Sequence, residues 1–183
     1  MLALLARRRS TKVGHLIEPG PSDEQVNALL RLAARVPDHG KLGPWRFVII
    51  AGEARARAGE ALAGVIAKDE RVDESRLATA RGLLLRAPVC VMVVSSAAPH
   101  PKIPEWEQQL SSGAACYGLL LAAHAMGFAG CWLTEWPTYD ARARAALNLK
   151  EHERIAGFVY LGTPSVQATE RFRADLASRV SRF

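Results

Sequence analysis

The chain has 183 residues, 49% hydrophobic and 23% charged, and carries 24 Lys+Arg against 18 Asp+Glu for a formal charge of +6. A chain of this length can bury a sizeable core without disulfide staples, and its composition excludes disordered, collagenous and repeat-array architectures. The expectation is a single domain over residues 1–183.

Pro21-Ser22-Asp23-Glu24-Gln25 reads as a helix start, with Ser22 as N-cap, Gln25 three residues on and two acidic residues suiting the positive helix end. Val26, Leu29, Leu30, Ala33 and Ala34 follow at helical spacing, and Pro37 ends the run. Arg46 to Ala51 is a short β-branched run closed by Gly52, hence a strand. Glu53 to about Ala67 and Asp69 to about Arg86 read as helices rich in Ala and Arg. Pro88 to Ser96 is apolar on both faces, the pattern of a strand covered on both sides. Pro104 to Met126 reads as a long helix, charged at its start and apolar afterwards. Phe128 to Leu133 is a strand between Gly127 and a Thr-Glu-Trp-Pro turn, Tyr139 to Leu147 a short helix, and Ile155 to Leu161 a last central strand. Four buried strands separated by about five helices give an α/β or α+β sandwich. From Gly162 onward the chain is more polar and promises no core of its own.

The basic excess consists of 19 Arg and five Lys, mostly alternating with Ala, Glu and Leu. Only Arg7-Arg8-Arg9 forms a block, which suits one phosphate group better than a duplex backbone. Cys90, Cys116 and Cys131 sit singly in apolar segments, an odd count without short spacing that argues against a disulfide framework and against a zinc site. Buried, inert thiols point to a reducing, cytoplasmic location. The first residues lack the basic start and apolar length of a secretory signal. Leu110 to Phe128, the one candidate membrane span, is interrupted by Ser111, Ser112, Gly113, Gly118 and His124, and reads as a helix buried in protein.

Motifs that would announce other chemistries are missing. The sequence has no G-x-G-x-x-G, no G-x-x-x-x-G-K-[ST], no H-E-x-x-H and no G-x-S-x-G, and its five His are scattered at 15, 39, 100, 124 and 152. Three polar clusters remain. Arg8-Arg9-Ser10-Thr11-Lys12 offers guanidinium forks and hydroxyls that match phosphate oxygens, or else a solvated basic turn. Arg35 to Arg46 joins a helix end to a strand through a Gly- and Pro-rich loop of the kind that carries binding residues on a rigid scaffold. Within it, His39 also reads as a helix C-terminal residue facing the dipole, and Trp45 as a core anchor at a strand entry. Gly127 to Trp136 takes a strand into a turn, with Trp132 as a flat apolar wall or as ordinary strand packing.

In this order, Arg8-Arg9-Ser10, Arg35 through His39 with Pro44-Trp45-Arg46-Phe47, Trp106-Glu107-Gln108, Gly127 to Trp132 and Gly157 to Pro164 resemble the nitroreductase family of FMN-dependent oxidoreductases, and within it a short bacterial subgroup. The likeness spans nearly the whole chain. It implies an α+β nitroreductase-like fold, a central mostly antiparallel sheet of four to five strands flanked by helices, built as an intimate homodimer with one FMN at each of two subunit interfaces. It implies that Arg8, Arg9 and Ser10 hold the FMN phosphate and ribityl side. Trp132, Leu133 and Thr134 would line the isoalloxazine ring, which Arg35 and His39 of the partner subunit would reach. A phosphate near −2 calls for Arg, negative charge near flavin N1 is stabilised by cations, and a backbone N–H near N5 would tune hydride acceptance without an acid–base side chain. No catalytic side chain and no metal is implied.

Two positions depart from the family pattern. Lys12 stands where many members have Arg, and Asp38 to Gly43 replaces the Asn and Gln that commonly precede the Pro-Trp pair. Glu170-Arg171-Phe172-Arg173 could add a phosphate contact. The implied activity is hydride transfer from NAD(P)H to flavin N5 and on to a small electron-poor acceptor (nitroaromatic, quinone or enone) by a ping-pong mechanism, with neither nucleic acid nor membrane as partner. The alternatives are a flavoenzyme of the same fold with a non-nitro reductive or flavin-processing reaction, and a basic non-enzymatic binding protein.

Overall fold

The computed structural model describes residues 1–183. Its core is an antiparallel sheet of five strands: β1 (Leu16–Ile17), β2 (Trp45–Ala51), β3 (Val89–Ser95), β4 (Ala129–Leu133) and β5 (Arg154–Pro164). Strand β5 is central. Phe158 to Leu161 pair with β3 on one edge and with β4 on the other, β2 lies outside β3, and β1 pairs with the far end of β5 at Thr163 and Pro164. The fold is therefore α+β, as expected. The last strand is longer than Ile155 to Leu161 and β1 is additional, because two residues paired only through their backbone leave no pattern in a sequence.

Six helices flank the sheet: α1 (Leu2–Arg7), α2 (Asp23–Ala33), α3 (Ala54–Ile66), α4 (Glu74–Gly82), α5 (Glu105–Ala125) and α6 (Ala141–Ala146). Helix α2 begins with the anticipated capping box, Ser22 Oγ accepting from the Gln25 amide and Gln25 Oε1 from the Ser22 amide. Helix α4 is shorter than the span from Asp69 to Arg86. The Asp73 carboxylate accepts the Arg76 amide at 2.8 Å and sets a later start, and after Gly82 the chain turns so that Leu83 and Leu84 enter the core. Helix α1 was not anticipated. None of its residues is buried, so it shows no apolar face to read.

Strand β3 explains the two-layer packing. All seven of its residues are buried: Val89, Val91 and Val93 meet α2 and α5, whereas Cys90, Met92 and Val94 meet the face built by α3, α6 and the turn carrying Leu83 and Leu84. The residues after Pro164 lie mostly exposed over the start of the chain, where the Ser165 amide donates to His15 O at 2.9 Å. No helix is long and apolar enough to cross a membrane.

The start of β5 is tied to β2 by a paired carboxylate. Arg46 Nε and Nη2 each donate to Glu153 at 2.7 Å, the Lys150 amide adds a third bond at 2.8 Å, and the Glu153 side chain is only 3% exposed. The Arg46 bonds hold its carboxyl down at about 2 against the opposing push of burial, from an ordinary value of 4.5. The folded value lies below the unfolded one, so this stabilisation is complete above pH 4.5 and is lost as pH falls from there through 2. Screened by the partly exposed Arg46, it contributes on the order of 2 kcal/mol. In urea titrations between pH 6 and pH 2, Glu153→Gln is expected to be less stable than the parent near neutrality and to converge with it at the acid end.

Candidate functional site

Strand β4 bonds to β5 along one edge only. On its other edge Gly130 O accepts the Thr11 amide at 3.1 Å, so the segment after the Arg block lies alongside the beginning of β4. Antiparallel ladders alternate, and Trp132 therefore turns its N–H and C=O the same way as Gly130, onto the open part of that edge, about 7 Å further along. Gly130 lets α5 and β5 close on this strand. A Cβ there would press within 2.7 Å of Tyr160 O and 3.0 Å of Leu120 Cδ2 on α5.

Helix α5 forms the wall behind this edge, and at 100° per residue its faces have distinct partners. Gly113 meets the Trp132 ring at 3.7 Å, Tyr117 lies under the Arg8 guanidinium at 5.9 Å, and His124 Nε2 donates to Arg9 O at 3.0 Å. These three positions share one face. They place Arg8 and Trp132 of the same protomer about one helical turn apart, roughly 6 Å along the axis. A cleft of about 510 Å³ opens beside Trp132, Gly113, Gln109 and Arg154, and a smaller one of about 200 Å³ beside Ser10, Lys12, His15 and Arg171.

The basic end of this face fits an anion. Arg8 Nη1 is buried and has no hydrogen-bond partner, an orphaned donor that a phosphate oxygen would satisfy. Arg9 is held by Glu170 and by the carbonyls of Ala6 and Arg8, and Arg171 Nη2 donates to Ser10 O at 3.3 Å. The tail thus reaches the basic cluster with one carboxylate and one guanidinium.

Trp132 is 38% exposed and its orientation is fixed by a bulge. The β3–β5 register shifts between Val93 and Val94, opposite Gly157 and Ile155, which leaves Ala156 unpaired. Its carbonyl accepts Trp132 Nε1–H at 3.0 Å, and a Cβ on the adjacent Gly157 would overlap the indole nitrogen. Leu133 points the opposite way, into the core shared with Phe158 and Tyr160, and its backbone pairs with Phe158 of β5. Thr134 is exposed, its Oγ1 accepting from Tyr139 at 3.1 Å.

Arg35 and His39 occupy the other side of α5. Gly118 packs on Ala33 and Val36, Ser111 Oγ donates to Pro37 O at 2.7 Å, and His39 Nδ1 donates to Glu107 Oε2 at 2.7 Å. His39 thus faces a carboxylate of α5 and not the end of its own helix. Positions 107, 111 and 118 lie roughly 150° around α5 from the Gly113 face, so one protomer keeps these two residues apart from Arg8 and Trp132. Trp45 is an anchor at a strand entry, as its neighbourhood suggested, donating Nε1–H to Ser111 Oγ at 3.1 Å and packing on Phe47.

The chain's model-based family match extends over residues 5–163 and is to the Nitroreductase family. The chain belongs to that family of oxidoreductases. It is 39% identical over 169 residues to "Putative NAD(P)H nitroreductase YdjA" of Escherichia coli K12, covering 92% of this chain and 90% of that protein. Its fold is similar to the crystal structure of a nitroreductase-like family protein from Bacillus cereus, with a TM-score of 0.86 at 19% identity over 100% of this chain and 95% of the other. It is also similar to a Bacteroides fragilis nitroreductase solved with bound FMN, with a TM-score of 0.71 at 22% identity over 100% and 97% of the two chains.

No side chain of the site is poised as a nucleophile. Burial pushes the Cys131 thiol on β4 up to about 11 and Cys116 on α5 up to about 12, and no cluster of His, Cys, Asp or Glu could hold a metal ion. Sequence reasoning missed Tyr117, Arg86 and Glu135. The only signal for Glu135 was its place in the turn directly after the Trp132 strand. Because the glycine at 157 is demanded by the indole, Gly157→Ala is expected to lower stability by about 1–3 kcal/mol and to shift the tryptophan emission, read by thermal melts and fluorescence spectra.

Proposed function

We propose that this nitroreductase-family chain is an FMN-dependent NAD(P)H oxidoreductase that works as a homodimer. Bound FMN supplies a two-electron carrier that accepts hydride at N5 from a nicotinamide and yields it to an electron-poor acceptor such as a nitroaromatic, quinone or enone, donor and acceptor using the same place in turn. Arg8, Arg9 and Ser10 bind the phosphate, with Arg171 beside them. Trp132 closes one side of the ring site, and the outward backbone groups of Trp132 and Thr134 meet the ring edge, with Leu133 between them. The observation that carries this reading is the orphaned Arg8 Nη1, on the same face of α5 as the Trp132 ring. Both ends of one elongated anionic ligand are thereby served by a single protomer. The bound names of relatives agree with the cofactor and donor, FMN in the Bacteroides fragilis structure and NAD(P)H in the Escherichia coli relative.

Helix α5 supports the dimeric reading. Trp106, Leu110 and Tyr117 form an exposed apolar stripe along the side of the Gly113 face nearest the α2 face. Two copies packed through this stripe about a two-fold axis bring Arg35 and His39 of the partner subunit towards the Trp132 edge that they cannot reach within their own protomer. Charge is then supplied at the ring end as well as at the phosphate end. The exposed Arg35 guanidinium makes no ion pair in its own protomer, and is free to serve a ring that gains negative charge on reduction.

Two experiments test the reading. Protein purified without added cofactor is expected to be yellow and to release FMN on denaturation, whereas the double variant Arg8→Ala/Arg9→Ala is expected to be colourless; flavin retained by that variant contradicts the assignment. Leu110→Arg, which places a charge in the apolar stripe, is expected to convert a dimer to monomers in sedimentation velocity and to weaken FMN binding at least tenfold. A dimer that survives it would place the contact elsewhere.

A further inference from the structure

We propose that Arg86, acting through Glu135, is a positioning residue that fixes the backbone of the turn from Trp132 to Glu135 on which the flavin ring edge rests. The inference depends on the FMN reading above and concerns residues on the opposite face of the sheet from Arg8.

Glu135 has φ 52° and ψ 171°, in a region that glycine occupies freely and a side chain resists. Such a conformation persists when surrounding groups over-determine it. Here they do. Arg86 Nη2 donates to both carboxylate oxygens of Glu135 at 2.5 and 2.6 Å and to Tyr160 OH at 3.0 Å, and Tyr160 OH donates to Glu135 Oε2 at 2.9 Å. Arg86 is itself anchored by Nε to Leu83 O at 2.7 Å and lies over the Tyr160 ring at 5.2 Å. Tyr160 is fully buried on β5, directly opposite Cys131 of β4. The triangle therefore ties the turn after β4 to the central strand and to the corner before β3.

What this turn presents is a pair of unused donors. The amides of Thr134 and Glu135 donate to no protein acceptor, although Glu135 O accepts the Thr138 amide at 3.2 Å. The Thr134 amide shares the outward parity of Trp132 on the open edge of β4, and the Glu135 amide follows it in the turn. The Arg86–Glu135–Tyr160 triangle lies in the core shared with Cys131, Leu133 and Phe158, away from the face holding Trp132 and Arg8, and so acts only by setting where those amides point. Donors held rigidly towards a ring edge stabilise one oxidation state of the ring over the other without reorganising.

The test uses the full chain and FMN. Arg86→Met leaves the Glu135 carboxylate without its fork and is expected to bind oxidised FMN at least tenfold more weakly. It is also expected to change the ratio of oxidised to reduced FMN affinity about tenfold, equivalent to about 30 mV in the two-electron potential. Arg86→Met/Glu135→Gly removes the stranded charge and supplies a residue that takes the turn's φ unaided, and is expected to return both values to within about threefold of the parent. If Arg86→Met does not fold, as judged by circular dichroism, Glu135→Gln is read in its place with the same expected shifts. A folded Arg86→Met, or Glu135→Gln in its place, with the parent's affinity ratio overturns the inference, and so does a double variant no better than Arg86→Met. A parent chain that takes up no FMN overturns the flavin reading itself, and this inference with it.

Discussion

The site depends on a strand left half-paired. Strand β4 gives one edge to β5 and lends the start of the other to Thr11, so the outward backbone groups from Trp132 onward, at alternate residues, stay available. An open strand edge is ordinarily a liability, since any passing strand can add to it. Here it is short, backed by α5 and ended by the Glu135 turn, and those same restraints make it a surface on which a flat polar ring edge can be read. Two glycines that shape the edge allow close approach: Gly130 admits α5, and Gly157 admits the indole.

The sheet separates two kinds of work. On the α5 side stand the groups that can touch a ligand, Arg8 over Tyr117 and Trp132 beside Gly113. On the other side lie the elevated thiols of Cys90 and Cys131 and the Arg86–Glu135–Tyr160 triangle. The Arg86–Glu135 ion pair is partly buried, so desolvation offsets much of its Coulomb attraction and it adds little net stability. Its value here lies in geometry, because it holds a residue that is not glycine in a conformation suited to glycine.

Helix α5 is the second organising element. Its 21 residues present a core face, a face for α2 and the Arg35–His39 loop, and a face for the basic cluster and Trp132 that is bordered by an exposed apolar stripe. That crowding accounts for its weak amphipathic pattern: a helix with apolar neighbours on several sides shows no single polar face. It also explains why a charged loop and a charged N-terminal segment, both suited to an anionic coenzyme, stand on opposite sides of the helix within one protomer. In the proposed dimer the two-fold axis would bring them together.

Much of this was legible from residue order. Continuous burial along Pro88–Ser96, the capping box at Ser22 and the β-branched run at Arg46–Ala51 follow from local preferences and covering on one or two faces, and they were read with errors of only a few residues. The basic block, the Trp132 strand and the family likeness likewise depend on residue identity at short range. The tertiary structure decided what no local pattern carries. It set which edge of β4 stays open and which side of α5 receives Arg35 and His39. It left one guanidinium nitrogen of Arg8 unpaired, and it joined Arg86 to Glu135 across 49 residues. Periodicity reports how much of a segment is covered; which partner covers it, and which polar atom is left over, are settled only when distant segments meet in space.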